Sequence, residues 1–205
     1  MQHHDGMDSS NQRILDLAGQ HGLIRPRDLD AQGLPRVALT RLVRQGLLQR
    51  VGRGLYALPQ RTVSEHTALA EVARKHPQAI VCLLSALRFH DLTTQSPFEV
   101  WLAIPNKARA PKMEYPPLRI VRFSGAALTA GIEERLVDGV PVRVTTVART
   151  VADCFKFRNK IGLDVALEAL QEAWRAKRVT MDELWHFAAL CRVANVMRPY
   201  MESLS

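Results

Sequence analysis

Between Ala31 and Arg61 the chain carries Arg36, Arg41, Arg44, Arg50, Arg53 and Arg61 with no Asp or Glu, a formal charge of +6. A guanidinium is always charged and presents its N–H donors as a rigid fork, which suits it to phosphate oxygens and to the O6/N7 edge of guanine. Within Pro35-Arg-Val-Ala-Leu-Thr-Arg-Leu-Val-Arg-Gln45, Leu39, Leu42 and Val43 recur at i, i+3 and i+4, while Arg36, Thr40 and Arg44 recur at i, i+4 and i+8. The spacing predicts a helix with one face for a core and the other for an anion, with Arg41 beside it. After Gly46 come two short apolar runs around Gly52-Arg53-Gly54, a turn that glycine eases, with Arg50 and Tyr56 on its arms.

A cationic helix followed at once by a cationic hairpin predicts a winged helix-turn-helix, in which the helix enters the major groove and the wing holds a phosphate strand. Charges on one face of an amphipathic helix ordinarily mean only water. Here a single sign of charge continues from helix into hairpin, which favours a polyanion. The residues upstream supply the other parts. Positions 11–20 carry Ile14, Leu15 and Ala18 at helical spacing and stop at His21-Gly22. Leu23-Ile24 can pair with the wing as a third short strand. Pro26 opens a second helix over 27–32, which Gly33 ends.

Pro59-Gln-Arg-Thr62 reads as a linker, dividing a domain of residues 1–61 from one of residues 62–205. Thr62-Val-Ser-Glu65 has the form of a capping box opening a helix to about His76. Residues 82–90, with Leu83, Leu84, Leu87 and Phe89, are too apolar for a surface helix. Residues 99–104 and 118–123 read as strands, separated by a polar loop holding Lys107, Arg109 and Lys112. Asp138-Gly139 between 132–137 and 140–144 is a strong hairpin signal. From Thr145 onward apolar stripes are helical (Val147, Val151, Cys154 and Phe155; then Leu163, Leu167, Leu170 and Trp174), and Thr180-Met-Asp-Glu183 is another capping box. The fold class expected is α+β: an N-terminal winged helix-turn-helix, then a small mixed sheet packed with helices. A second helix-turn-helix over 164–191 would set Asp182 and Glu183 against phosphate, so that stretch reads as packing.

The net charge of +8 over 205 residues points to an anionic partner. Residues 1–61 hold nine Arg against five Asp, giving +4, and the longer remainder holds nineteen basic against fifteen acidic residues, also +4. The excess is therefore concentrated in the first segment, downstream of Asp30. No apolar run approaches the roughly 20 residues of a transmembrane helix, and the first residues lack a signal peptide's pattern, so a cytoplasmic location and no membrane partner are expected. Cys82, Cys154 and Cys191 are odd in number and far apart, which reads as buried thiols, without a disulfide framework or a zinc site.

Enzymatic readings find little support. A metal-dependent nuclease needs carboxylates converging on a cation with a nearby lysine. Glu99-Val-Trp101 sets Trp where that lysine belongs, and Glu133-Glu-Arg135 offers only an adjacent acidic pair. Cys154 on an apolar stripe, with His90 or His186, lacks the spacing of a nucleophile and its base, and His66 and His76 lack metal-ligand spacing. Gly52-Arg-Gly54 has neither the helix nor the lysine of a P-loop. No catalytic residue, metal or cofactor is expected. The rival to DNA binding is a protein-interaction module whose basic face meets an acidic partner.

Leu42-Val-Arg-Gln-Gly46-Leu with Arg50-Val-Gly-Arg-Gly-Leu-Tyr56, Ser85-Ala-Leu-Arg-Phe-His90, and above all Arg149-Thr-Val-Ala-Asp153-Cys-Phe-Lys156-Phe-Arg158 give the chain a resemblance to the AbiEi-family antitoxins, transcriptional regulators of type IV toxin-antitoxin and abortive-infection operons. The resemblance implies a repressor that binds inverted repeats upstream of its own operon, as a monomer in solution or a dimer on DNA. It also implies a second domain that counteracts a nucleotidyltransferase-like toxin without requiring stable contact with it. The family's DNA-facing surface maps onto Arg36, Thr40, Arg41, Arg44, Arg50, Arg53 and Tyr56. Arg149, Asp153, Lys156 and Arg158 form the second motif. They read either as a functional charged patch or, for Arg149 and Asp153 at i, i+4, as a helix-surface ion pair worth a few tenths of a kcal/mol.

Overall fold

Helix α1 (Asp5–His21) turns Ile14, Leu17 and Ala18 inward and ends where Gly22 takes φ 68°, a left-handed conformation that closes helices well. It begins six residues before the expected start, over a stretch rich in the Asp and Ser that suit a helix N-terminus. The computed structural model describes residues 5–61 and 64–204. Ile24 then bridges Tyr56 through two backbone hydrogen bonds of 2.9 and 3.0 Å, the expected third strand reduced to one rung. Pro26 opens α2 (Pro26–Asp30), where the Arg25 amide donates to Asp28 Oδ2 at 2.7 Å.

Helix α3 (Val37–Arg44) follows, then β1 (Gln49–Gly52) and β2 (Leu55–Ala57), antiparallel, with a register irregularity between Arg50 and Gly52 and Gly54 at φ 69° in the turn. This is the winged helix-turn-helix order. Its core is Ile14, Leu17, Ile24, Leu29, Leu34, Leu39, Leu42 and Leu48, each side chain worth about 1.5–3 kcal/mol of burial.

The first compact unit is Met1–Lys75 with Leu136–Pro141, and the second is His76–Arg135 with Val142–Ser205. The first thus includes α4 (Thr67–Lys75). The capping box expected to open that helix falls partly on Thr62 and Val63, which lie outside the described residues; the helix starts at Thr67, whose hydroxyl donates to the Ser64 carbonyl at 2.8 Å. Residues 136–141 bring the Asp138-Gly139 turn into this unit. Both residues have positive φ, 51° and 80°, as the tight hairpin turn requires. The Asp138 carboxylate accepts from Arg61 at 3.0 Å and from the Thr67 hydroxyl at 2.6 Å. A Cβ on Gly22 would lie 2.0 Å from the Asp138 carbonyl oxygen, so backbone passes backbone there only because Gly22 has no side chain.

The second unit is built on a five-stranded mixed sheet in the order β5-β4-β3-β7-β6. Its strands are β3 (Ile80–Val81), β4 (Val100–Pro105), β5 (Leu118–Phe123), β6 (Ile132–Val137) and β7 (Val140–Thr145). Strands β4 and β5 run parallel from Val100 opposite Leu118 to Pro105 opposite Phe123; β3 is antiparallel to β4 and parallel to β7. Edge strand β5 keeps Arg119 and Arg122 outward, charged positions that discourage edge pairing. Helix α5 (Leu83–Phe89) is buried, as its composition demands. Helices α6 (Val147–Lys156), α7 (Arg158–Ile161), α8 (Leu163–Arg175), α9 (Met181–Leu190) and α10 (Ala194–Glu202) complete the unit, with α8 and α9 packed on α6. The reciprocal cap at Thr180 and Glu183 forms as its spacing predicts.

Candidate nucleic-acid interface

Helix α3 buries Ala38, Leu39 and Leu42 and leaves Thr40 and Arg44 exposed, one turn apart on the opposite face. Arg36 is exposed too, but it sits at the N-cap and is held by Asp30, its Nε donating to Oδ1 at 2.8 Å and Nη2 to Oδ2. The hydrogen bond from Arg36, with its charge, lowers the Asp30 carboxyl below the ordinary aspartate range. The charge of the stretch after Asp30 is therefore offset at its first arginine by the acid just before it. Arg41 is half-buried and its Nη2 donates to Asn11 Oδ1 at 2.8 Å, tying α3 to α1.

In the wing, Arg50 and Arg53 are exposed, with Arg50 Nε 3.3 Å from the Gly52 carbonyl and Arg53 at the turn. Tyr56 faces Arg50 across the hairpin; its ring is half-buried against the unit's core and its backbone is committed to Ile24. The structure thus leaves Thr40, Arg44, Arg50 and Arg53 exposed, while Arg36 is held by Asp30, Arg41 by Asn11, and the Tyr56 ring is half-buried. One exposed residue on this helix is absent from the sequence-level set: Val37, 74% exposed. Its spacing to Thr40, Arg41 and Arg44, i+3, i+4 and i+7, was readable, but an apolar residue gives no charge signal.

The second motif differs from expectation. Arg149 and Asp153 are not on a helix surface: each side chain is 1% exposed, with Arg149 Nε 3.1 Å from both Asp153 oxygens. Every residue from Ala148 to Phe155 is buried, because α6 is covered on several sides. Arg149 also donates to the Ala130 carbonyl and lies 4.8 Å over the Phe123 ring, and the Cys191 thiol donates to Asp153 at 3.3 Å. Burial pushes the Asp153 carboxyl up, against the opposing pull of Arg149. The pair is a buried network, and the surface estimate of a few tenths of a kcal/mol does not apply. Arg158 is half-buried and donates to the Phe155 carbonyl at 2.8 Å, leaving Lys156 as the exposed residue of the four.

Cys82, Cys154 and Cys191 are all buried free thiols, and burial pushes Cys191 up to about 12 and the other two well above 9.0, the opposite of an activated thiolate. The His90 ring meets the Thr145 carbonyl at 2.7 Å, and His186 is exposed. Glu133 pairs with Arg135 at 3.0 Å, and the Glu99 carbonyl accepts from Ser85. Among the described residues no three His, Cys, Asp or Glu side chains are grouped so as to hold a metal ion, and no helix is long and apolar enough to cross a membrane. Lys107, Arg109 and Lys112 are exposed, on a loop whose carbonyls at Pro105, Asn106 and Ala108 accept from Arg122 at 3.1, 2.7 and 2.8 Å.

Residues 12–59 match the family model described as "Transcriptional regulator, AbiEi antitoxin". No curated protein matches the chain. Among solved structures, the RV2827C protein from Mycobacterium tuberculosis is similar in fold, with a TM-score of 0.52 at 14% identity over 96% of this chain and 80% of that one. At that identity the likeness concerns fold alone. The match over residues 12–59 spans α1 beyond its first two turns, α2, α3 and the wing, and bears out the AbiEi resemblance for that segment.

Proposed function

We propose that the chain is a DNA-binding repressor and antitoxin. The first unit docks α3 in the major groove of duplex DNA with the wing on an adjacent phosphate strand, at inverted repeats in its own promoter. The observation that carries this reading is the set of exposed cations and donors on two consecutive elements: Thr40 and Arg44 on α3, Arg50 and Arg53 on the β1–β2 hairpin. A helix of this kind reads base edges, whereas a hairpin arginine fixes register on the backbone. Occupied by a protomer on each half-site, the operator would be repressed, and the second unit would counteract a nucleotidyltransferase-like toxin encoded beside it. Arg36 enters with Asp30 attached, so its role is to hold the α2–α3 turn as much as to meet phosphate. In the second unit Lys156 and the loop with Lys107, Arg109 and Lys112 are exposed cationic groups that support an antitoxic surface.

The test is binding of the full chain to its promoter duplex across a salt series. Each phosphate contact contributes about −0.9 to the slope of log affinity against log salt, so several contacts give a steep line. Promoter binding that resists an unrelated duplex supports the reading; equal competition by an acidic protein and absence of a duplex-length dependence argue for the protein-interaction alternative.

A further inference from the structure

Val37 is the first residue of α3 and 74% exposed, an apolar side chain at the N-terminal end of a face that continues through Thr40, Arg41 and Arg44. On a helix Thr40 and Arg41, at i+3 and i+4, are its neighbours on the surface, and Arg44, at i+7, stands two turns on along the same side. A lone exposed valine is common on proteins and by itself means nothing. The placement of this one is less ordinary. It costs the helix something, since a β-branched residue is a poorer helix former than Ala or Leu. It also lies in the first turn, the part of a recognition helix that comes nearest the base edges. Arg36, the cation immediately before it, is engaged by Asp30, so the leading end of the helix presents an apolar group and a hydroxyl in place of an open charge.

Duplex DNA carries one apolar feature in its major groove, the C5-methyl of thymine, which isolated methyl-bearing side chains recognise by contact. We infer that Val37, with the Thr40 methyl one turn on, reads thymine methyls in the half-site, making it a specificity-determining residue. Arg44, about 10 Å further along the helix axis, holds the phosphate backbone. This rests on the DNA-binding reading above and adds to it a base identity. Val37 supplies discrimination against cytosine and against any base edge without a methyl, while the arginines supply the affinity common to all sequences.

The experiment uses the full chain and a duplex that it enriches from a random pool, with affinity read by fluorescence anisotropy. Each thymine is replaced in turn by deoxyuridine, which keeps pairing and removes only the methyl, and each duplex is titrated with wild type, Val37→Ala and Val37→Ser. Both substitutions lie on the surface, and circular dichroism confirms the fold. The result expected is that one or two replacements per half-site weaken wild type about fourfold each, the worth of one buried methyl. Val37→Ala weakens the unmodified duplex similarly and no longer responds at those positions. Binding that is indifferent to every replacement, or a Val37→Ala protein as sensitive as wild type, would overturn the role of Val37 and leave DNA binding standing. Failure to enrich or bind any duplex would overturn both.

Discussion

Arg149 and Asp153 face each other one helical turn apart in α6, sealed from solvent, with one guanidinium nitrogen 3.1 Å from both carboxylate oxygens. Removing one partner of such a pair leaves the other charge buried without compensation, a loss of about 3–5 kcal/mol. Arg149→Ala and Asp153→Ala are each expected to destabilise the second unit by that amount, measured by urea unfolding. Arg149→Met with Asp153→Leu is expected to recover most of it. A single alanine variant unfolding with the wild type would contradict the buried network.

Lys156 gives the contrasting case, because it is the exposed member of the same motif. Lys156→Ala is expected to shift the melting temperature by no more than a degree or two, as surface substitutions away from special features usually fall within about 0.5 kcal/mol. Co-expression with a nucleotidyltransferase-like toxin encoded beside the gene then tests the proposed antitoxic surface without interference from unfolding. Full neutralisation by this variant would move that surface to Lys107, Arg109 and Lys112.

Asp138 sets an acid limit on the first unit. Burial pushes its carboxyl up, but the hydrogen bonds from Thr67 and Ser64 and the charge of Arg61 outweigh that and hold it below the ordinary 3.8. A lowered carboxyl contributes stability that is present above the unfolded value and is lost as pH falls through the folded one. Asp138→Asn is therefore expected to cost about 1–3 kcal/mol at pH 6–7. The gap from wild type should narrow progressively below about pH 4, in melting curves taken across pH. A gap that stays constant down to pH 2 would show that the carboxylate's charge contributes nothing.

The first unit continues past Arg61. Arg74 of α4 donates to Asp28 Oδ2 at 2.7 Å, beside the Arg25 hydrogen bond to the same side chain. We expect a fragment of residues 1–75 to melt at a higher temperature than one of residues 1–61, and Arg74→Ala to remove about 1–2 kcal/mol of that difference. Identical melting of the two fragments would place α4 outside the cooperative unit.

The parts of this fold that were legible in the sequence are those specified locally. The stripe of Leu39 and Leu42, the glycines after α1 and in the wing, the Asp138-Gly139 turn and the Thr180 cap each carry their signal within a few residues. What was not legible depends on which distant surface covers an element. An i, i+4 Arg–Asp pair looks the same whether its helix faces water or lies beneath α8 and α9, and only packing distinguishes them. The bond between Asp30 and Arg36 depends on how the turn after α2 folds back. Strand β3 is two residues long, too short for any alternation to show, yet it is the centre of the sheet.

The most direct test of DNA recognition by α3 and the wing is the affinity of Arg44→Ala, Arg50→Ala, Arg53→Ala, as a triple variant, for the promoter duplex. These side chains are exposed, so the melting temperature should stay within a few degrees of wild type. Promoter affinity should fall by at least a hundredfold, about 2.7 kcal/mol or more, and the slope of log affinity against log salt should flatten by up to about 0.9 for each phosphate contact removed. A folded triple variant with unchanged affinity and an unchanged salt slope would contradict it.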